Sequence, residues 1–85
     1  MKTVYKYPLS LGCQTVINVL KGAHPIYAAD RDGQPYLYMM VDDVNDKTEE
    51  RIFLVEYDIV NATSNFEYVT SLMICFFVRH IFEVK

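Results

Sequence analysis

Residues 30–41 read Asp30-Arg31-Asp32-Gly33-Gln34-Pro35-Tyr36-Leu37-Tyr38-Met39-Met40-Val41. Asp32-Gly33 supplies the positive φ angles that a tight hairpin turn requires. Pro35 fits at the start of the strand that follows, where its missing N–H removes no ladder bond. From residue 36 to 41 the side chains alternate. Leu37, Met39 and Val41 point one way, and Tyr36, Tyr38 and Met40 the other. Both faces are apolar, so this strand is either covered on both sides or part of an interface.

Toward the amino end, residues 25–29 form the preceding strand, and Gly22 and Pro25 punctuate a turn over 21–25. Residues 15–20 are rich in β-branched side chains and read as a strand, as do residues 4–7, stopped by Pro8. Toward the carboxyl end, 42–50 is a polar loop and 51–59 a strand. In that strand Phe53, Val55, Tyr57 and Ile59 share a face. Residues 60–65 are a second loop and 66–70 a short strand. Residues 72–84 read as one long strand, with Phe76, Val78, His80, Phe82 and Val84 on one face and Phe77, Arg79, Ile81 and Glu83 on the other. A helix over 72–78 is disfavoured by its β-branched and aromatic content. The expected fold is all-β, a single domain over residues 1–85. It is a small antiparallel sheet of six to seven short strands, curled into a barrel or a sandwich. The apolar windows 37–41 and 72–78 would aggregate on an exposed edge, so they must be buried or paired. Pairing between two copies achieves this, and a homodimer is expected.

Composition excludes several partner classes. The chain is 52% hydrophobic, with seven Tyr and five Phe, and its formal charge is −3. Its eight basic residues are scattered, whereas phosphate backbones are bound by clustered Lys and Arg. Nucleic acid is therefore not the expected partner. The longest apolar run covers residues 72–78, far short of the ~20 residues a membrane-spanning helix needs, and no membrane association is expected. The first twelve residues alternate and break at Pro8, which argues against a signal peptide. The sequon at 61–63 then reads as an accidental match. Cys13 and Cys75 are too few for a disulfide scaffold and suit a reducing compartment with two buried thiols; a Cys13–Cys75 bridge is the alternative.

No motif carries recognisable catalysis. There is no G-x-S-x-G and no H-E-x-x-H. Gly12, Gly22 and Gly33 stand apart, so no glycine-rich loop can cradle a phosphate. A carboxylate pair drawn from Glu56, Asp58 and Glu83 would depend on strand register, which spacing does not give. His24 lies in a turn and is expected to be exposed. His80 lies in an apolar strand and is expected to be a hydrogen-bonded core histidine. The acidic stretch Asp42, Asp43, Asp46, Glu49 and Glu50 fails as a calcium loop, because an EF-hand needs Gly at its sixth position and Lys47 stands there. It reads as a solvated loop or as an acidic contact surface. No metal, no cofactor and no catalytic residue is expected. The seven tyrosines are the most suggestive set, because Tyr is enriched at interfaces. Their plain alternative is a half-buried sheet face.

Several short pieces, in order, carry a family resemblance. They are Tyr5-Lys6-Tyr7-Pro8-Leu9, Gln14-Thr15-Val16, Lys21-Gly22-Ala23, Asp32-Gly33-x-Pro35-x-Leu37-Tyr38, Val41-Asp42, Thr48-Glu49-Glu50-Arg51 and His80-Ile81-Phe82-Glu83. The set spans nearly the whole chain and resembles a family of small bacteriophage and prophage proteins of unknown function. Those proteins tend to carry glycines before the last piece, where this chain has Met73-Ile74-Cys75-Phe76-Phe77. The resemblance implies a phage accessory protein in the host bacterial cytoplasm, and it brings no catalytic residues. The expected role is non-enzymatic: binding and blocking a host protein, such as a component of antiviral defence. Tyr36, Tyr38 and Met40 would be the apolar anchors. Asp42, Asp43 and Asp46 would form an acidic rim suited to a basic partner surface. Two alternatives stand beside it, a protein that sequesters a nucleotide-like signal and a structural component of the virion.

Overall fold

The computed structural model describes residues 1–44, 47–57 and 65–85. Seven strands follow one another: β1 (Lys2–Pro8), β2 (Gln14–Leu20), β3 (His24–Arg31), β4 (Gln34–Asp42), β5 (Thr48–Glu56), β6 (Phe66–Ile74) and β7 (Phe77–Val84). They form two antiparallel sheets, ordered β1-β4-β3 and β2-β5-β7-β6. The sheets pack face to face as a sandwich and do not close into a barrel. No helix among the described residues is long and apolar enough to cross a membrane.

The Asp32-Gly33 turn organises the three-stranded sheet. Both residues have positive φ, 54° and 85°, and the Gly33 N–H donates to Asp30 Oδ1 at 2.8 Å. The two-residue turn places Arg31 opposite Gln34 and thereby fixes the register to Tyr27 opposite Tyr38. An extra residue at Ile26 makes a bulge, after which Pro25 lies opposite Met39. The other edge of β4 is taken by β1, from Lys2 opposite Asp42 to Pro8 opposite Tyr36.

Alternation then builds the core. Leu37, Met39 and Val41 of β4 face Ile17, Val19, Phe53, Val55, Leu72, Ile74 and Ile81 of the other sheet, and all are buried. Each such side chain contributes roughly 1.5–3 kcal/mol by leaving water. Leu9 closes the β1–β2 connection, held by its N–H bond to the Pro35 carbonyl at 3.0 Å. The sheets approach most closely along β3 and β6, which are edge strands of opposite sheets.

Five expectations change. Residues 72–84 are two strands, because the chain turns at Cys75 and Phe76, with φ of 50° and 72°. The short strand expected at 66–70 therefore extends to Ile74 and forms a hairpin with β7. Neither thiol is buried: Cys13 lies in the turn before β2 and Cys75 at the hairpin apex, both free and exposed. His80 is not in the sandwich core. It faces outward beside Tyr68, at 6.0 Å between rings, and its buried Nδ1 has no hydrogen-bond partner among the described residues. The acidic stretch is also shorter as a loop than expected, because Asp42 ends β4 and Thr48–Glu50 belong to β5. Asp46 and most of the expected loop at 60–65 lie outside the described residues, as do the last positions of the strand expected to reach residue 59.

Candidate functional site

Side chains repeat every two residues in a strand, so the inward set of β4 forces Tyr36, Tyr38 and Met40 onto the outer face of the three-stranded sheet. All three are half-buried there. Register brings neighbours from both flanking strands. Lys6 lies opposite Tyr38 and Val4 opposite Met40 on β1. On β3, Tyr27 lies opposite Tyr38 and Ala29 opposite Tyr36. The Tyr27 and Tyr38 rings meet edge to face at 5.6 Å. Arg31 Nη2 donates to the Tyr38 hydroxyl at 3.2 Å. Lys6 Nζ stands 5.2 Å from the centre of the Tyr36 ring. Tyr38 is thus held by Tyr27 and Arg31, and Tyr36 by Lys6.

The expected acidic rim is only partly a free acidic surface. Asp42 and Asp43 both contact the terminal amine of Met1, at 3.3 and 3.0 Å. The Val44 backbone N–H, with that amine, holds the Asp42 carboxyl below its usual range. Lys2, Lys6 and Arg31 border the same face, so its rim carries both signs of charge.

Sequence reasoning missed Tyr27, Val4 and Arg31. Tyr27 was within reach, because counting back from the Asp32-Gly33 turn pairs it with Tyr38. Val4 was not, since the β1–β4 pairing spans more than thirty residues of chain and leaves no local signal.

Two other features stand apart from this face. The first is a cleft of about 260 Å³ lined by His24, Pro25, Arg51, Glu67, Tyr68, Val69 and Glu83. At its base Arg51 and Glu83 form a two-pronged ion pair, Nε–Oε2 at 2.6 Å and Nη2–Oε1 at 2.7 Å. Arg51 Nη1 also donates to the Ala23 carbonyl. Their mutual attraction raises the pKa of Arg51 and lowers that of Glu83. Each charge is matched within the protein, which fits a structural clamp joining β5, β7 and the turn before β3. Among the described residues no cluster of three or more His, Cys, Asp or Glu is placed to hold a metal ion. The second feature is the β6–β7 hairpin tip. Phe76 is 95% exposed there, beside exposed Met73, Phe77 and Val78. Sequence reading missed this tip because no glycine or asparagine marks the turn.

No curated protein and no solved structure matches this chain. A family model described as a domain of unknown function, DUF7352, matches residues 1–85, and the chain belongs to that family.

Proposed function

We propose that this domain is a non-enzymatic interaction module that docks on a protein through the outer face of its three-stranded sheet. One observation carries this reading: Tyr27, Tyr36, Tyr38 and Met40 lie together on a sheet surface that no second layer covers among the described residues. Aromatic and Met side chains are the groups enriched at interface centres, and a rim of mixed charge around them is the usual anatomy. Tyr36, Tyr38 and Met40 are the anchors. Asp42, Asp43 and Asp46, with Lys2, Lys6 and Arg31, tune approach and orientation. The resemblance to small phage proteins supplies the setting: an accessory protein in the host cytoplasm that occupies and blocks a host protein, such as an antiviral-defence component.

The rival reading, a sequestering protein for a nucleotide-like signal, would have to use a cleft such as the one above Arg51. Ligand pockets generally run from about 300 to 1,000 Å³, and this cleft of about 260 Å³ is smaller, with its arginine already bonded to Glu83 and to the Ala23 carbonyl. The test is a tagged-protein capture from bacterial lysate beside the Tyr36→Ala/Tyr38→Ala variant, followed by reconstitution with the purified partner. Binding at least tenfold weaker for the folded double variant supports the reading. Equal binding by the two removes it.

A further inference from the structure

Among the described residues four strands lie at sheet edges: β1 and β3 in one sheet, β2 and β6 in the other. An open edge offers a row of unpaired N–H and C=O groups to any other chain, and proteins block it with charge, proline, a bulge or a covering element. β3 carries Pro25 and the bulge at Ile26. β6 carries Glu67 and a bulge at Val69, and these two strands also run close to each other. β1 carries Lys2, Lys6 and Pro8. β2 is the exception. Its sequence, Gln14-Thr15-Val16-Ile17-Asn18-Val19-Leu20, has no charge and no proline, and its pairing with β5 runs without a bulge.

We infer that β2 is a self-association edge, which pairs antiparallel with β2 of a second copy of this chain. Three features favour a second copy over a foreign strand. The strand is uncharged, so two copies can lie side by side without like charges meeting, although each chain carries a formal charge of −3. Its register closes about its own centre without a charged pair: with a two-fold axis near Ile17, exposed Val16 of one copy faces exposed Asn18 of the other. It also lies on the side of the sandwich away from the β3–β6 contact, where the four-stranded sheet has one strand more than its partner sheet. The product is a continuous eight-stranded sheet. The two-fold axis stands perpendicular to that sheet, so both three-stranded sheets sit on the same side of it. The two tyrosine faces then point the same way. The pairing stands independently of what those faces bind.

One seven-residue strand per copy is a small contact, below the roughly 1,200 Å² of stable specific interfaces, so the dimer is expected to be concentration-dependent in the micromolar range. The experiment is sedimentation equilibrium from about 1 to 200 µM on the wild type, on Val16→Lys/Asn18→Lys, and on Met73→Lys as a charge control at an exposed β6 position. Hydrogen exchange of the β2 amides is read at both ends of that range. The expected result is a wild-type and control mass rising to twice the 9.9 kDa of one chain. The folded double variant stays at one chain's mass, and wild-type β2 amides gain protection with concentration. A wild type that remains monomeric overturns the inference, as does a dimer that survives in the double variant. Should the double variant not fold, the exchange data decide: protection gained on β2 supports the pairing, and protection gained elsewhere or nowhere overturns it.

Discussion

Replacing Glu83 with Gln keeps the shape of the side chain and removes its charge. In the folded protein Glu83 is 6% exposed and Arg51 15% exposed at the side chain, bonded at 2.6 and 2.7 Å. The substitution leaves the guanidinium in place with its best partner gone. Breaking one side of a buried pair costs about 3–5 kcal/mol. Arg51 retains the Ala23 carbonyl, and Glu49 stands 4.0 Å away, so the lower end, about 3 kcal/mol, is expected. An 85-residue domain holds only about 4–13 kcal/mol in total, so this one proton-sized change removes a large share. With a urea slope near 1 kcal/mol/M for a small domain, the unfolding midpoint should fall by about 3 M. The paired replacement Arg51→Met/Glu83→Leu removes both charges together and should cost much less than the single change, because no buried ion is orphaned. Equilibrium urea unfolding of the wild type, Glu83→Gln, Arg51→Met, Glu83→Leu and the double variant gives the coupling of the last two changes directly. A Glu83→Gln loss below about 1 kcal/mol, or a double variant whose loss is the sum of the singles, would refute the clamp.

The same pair sets a pH dependence. The folded-state pKa of Glu83 is depressed by Arg51, so its contribution is complete above the ordinary carboxylate range and is lost as pH falls through the lowered folded value; urea midpoints from pH 7 to 3 should decline in the wild type and decline less in Glu83→Gln. Cys75→Asn/Phe76→Gly relieves two side chains held at positive φ, each costing about 1–2 kcal/mol, and gives up almost no packing at the 95% exposed Phe76. A rise of several degrees in melting temperature is expected, and a fall would show that the tip is packed in solution. Leu37→Ala empties a position that is 0% exposed and should cost about 2–5 kcal/mol by chemical unfolding. Both thiols, being exposed, should react with a thiol reagent in the native protein at rates close to those in denaturant.

The β3–β4 hairpin was legible because its information is local. Asp32-Gly33 dictates the turn, and the alternation after it separates the core set Leu37, Met39 and Val41 from the outward set Tyr36, Tyr38 and Met40. The β6–β7 hairpin was not legible because Cys75 and Phe76 occupy a conformation that those residue types rarely adopt. The alternation runs through the turn unbroken, so 72–84 looked like one strand. The exposure of the two cysteines followed the same limit: a thiol is apolar by composition, and only the turns around Cys13 and Cys75 put them in water. The candidate face was half legible. Its β4 residues came from alternation, while Val4 and Lys6 came from a pairing of distant segments. Neither the split of the strands between two sheets nor the Arg51–Glu83 clamp leaves any trace in residue spacing.

The pairing of β1 with β4 and of β2 with β5 also bears on how the chain is made. A ribosome releases the first two strands before either has a mate. At about 5–20 residues per second, roughly 2–7 s separate the completion of β1 from that of β4. Through that interval Val16, Ile17, Val19 and Leu20 emerge as a bare, uncharged segment. The β3–β4 hairpin can close by itself as soon as residue 42 is out, and it then offers β1 a docking edge. β2 must wait longer, for β5. Neighbouring nascent chains on one messenger would therefore meet first through β2, and charging that segment with Val16→Lys/Asn18→Lys should raise the soluble yield by keeping each bare strand apart from the next until its own β5 is out.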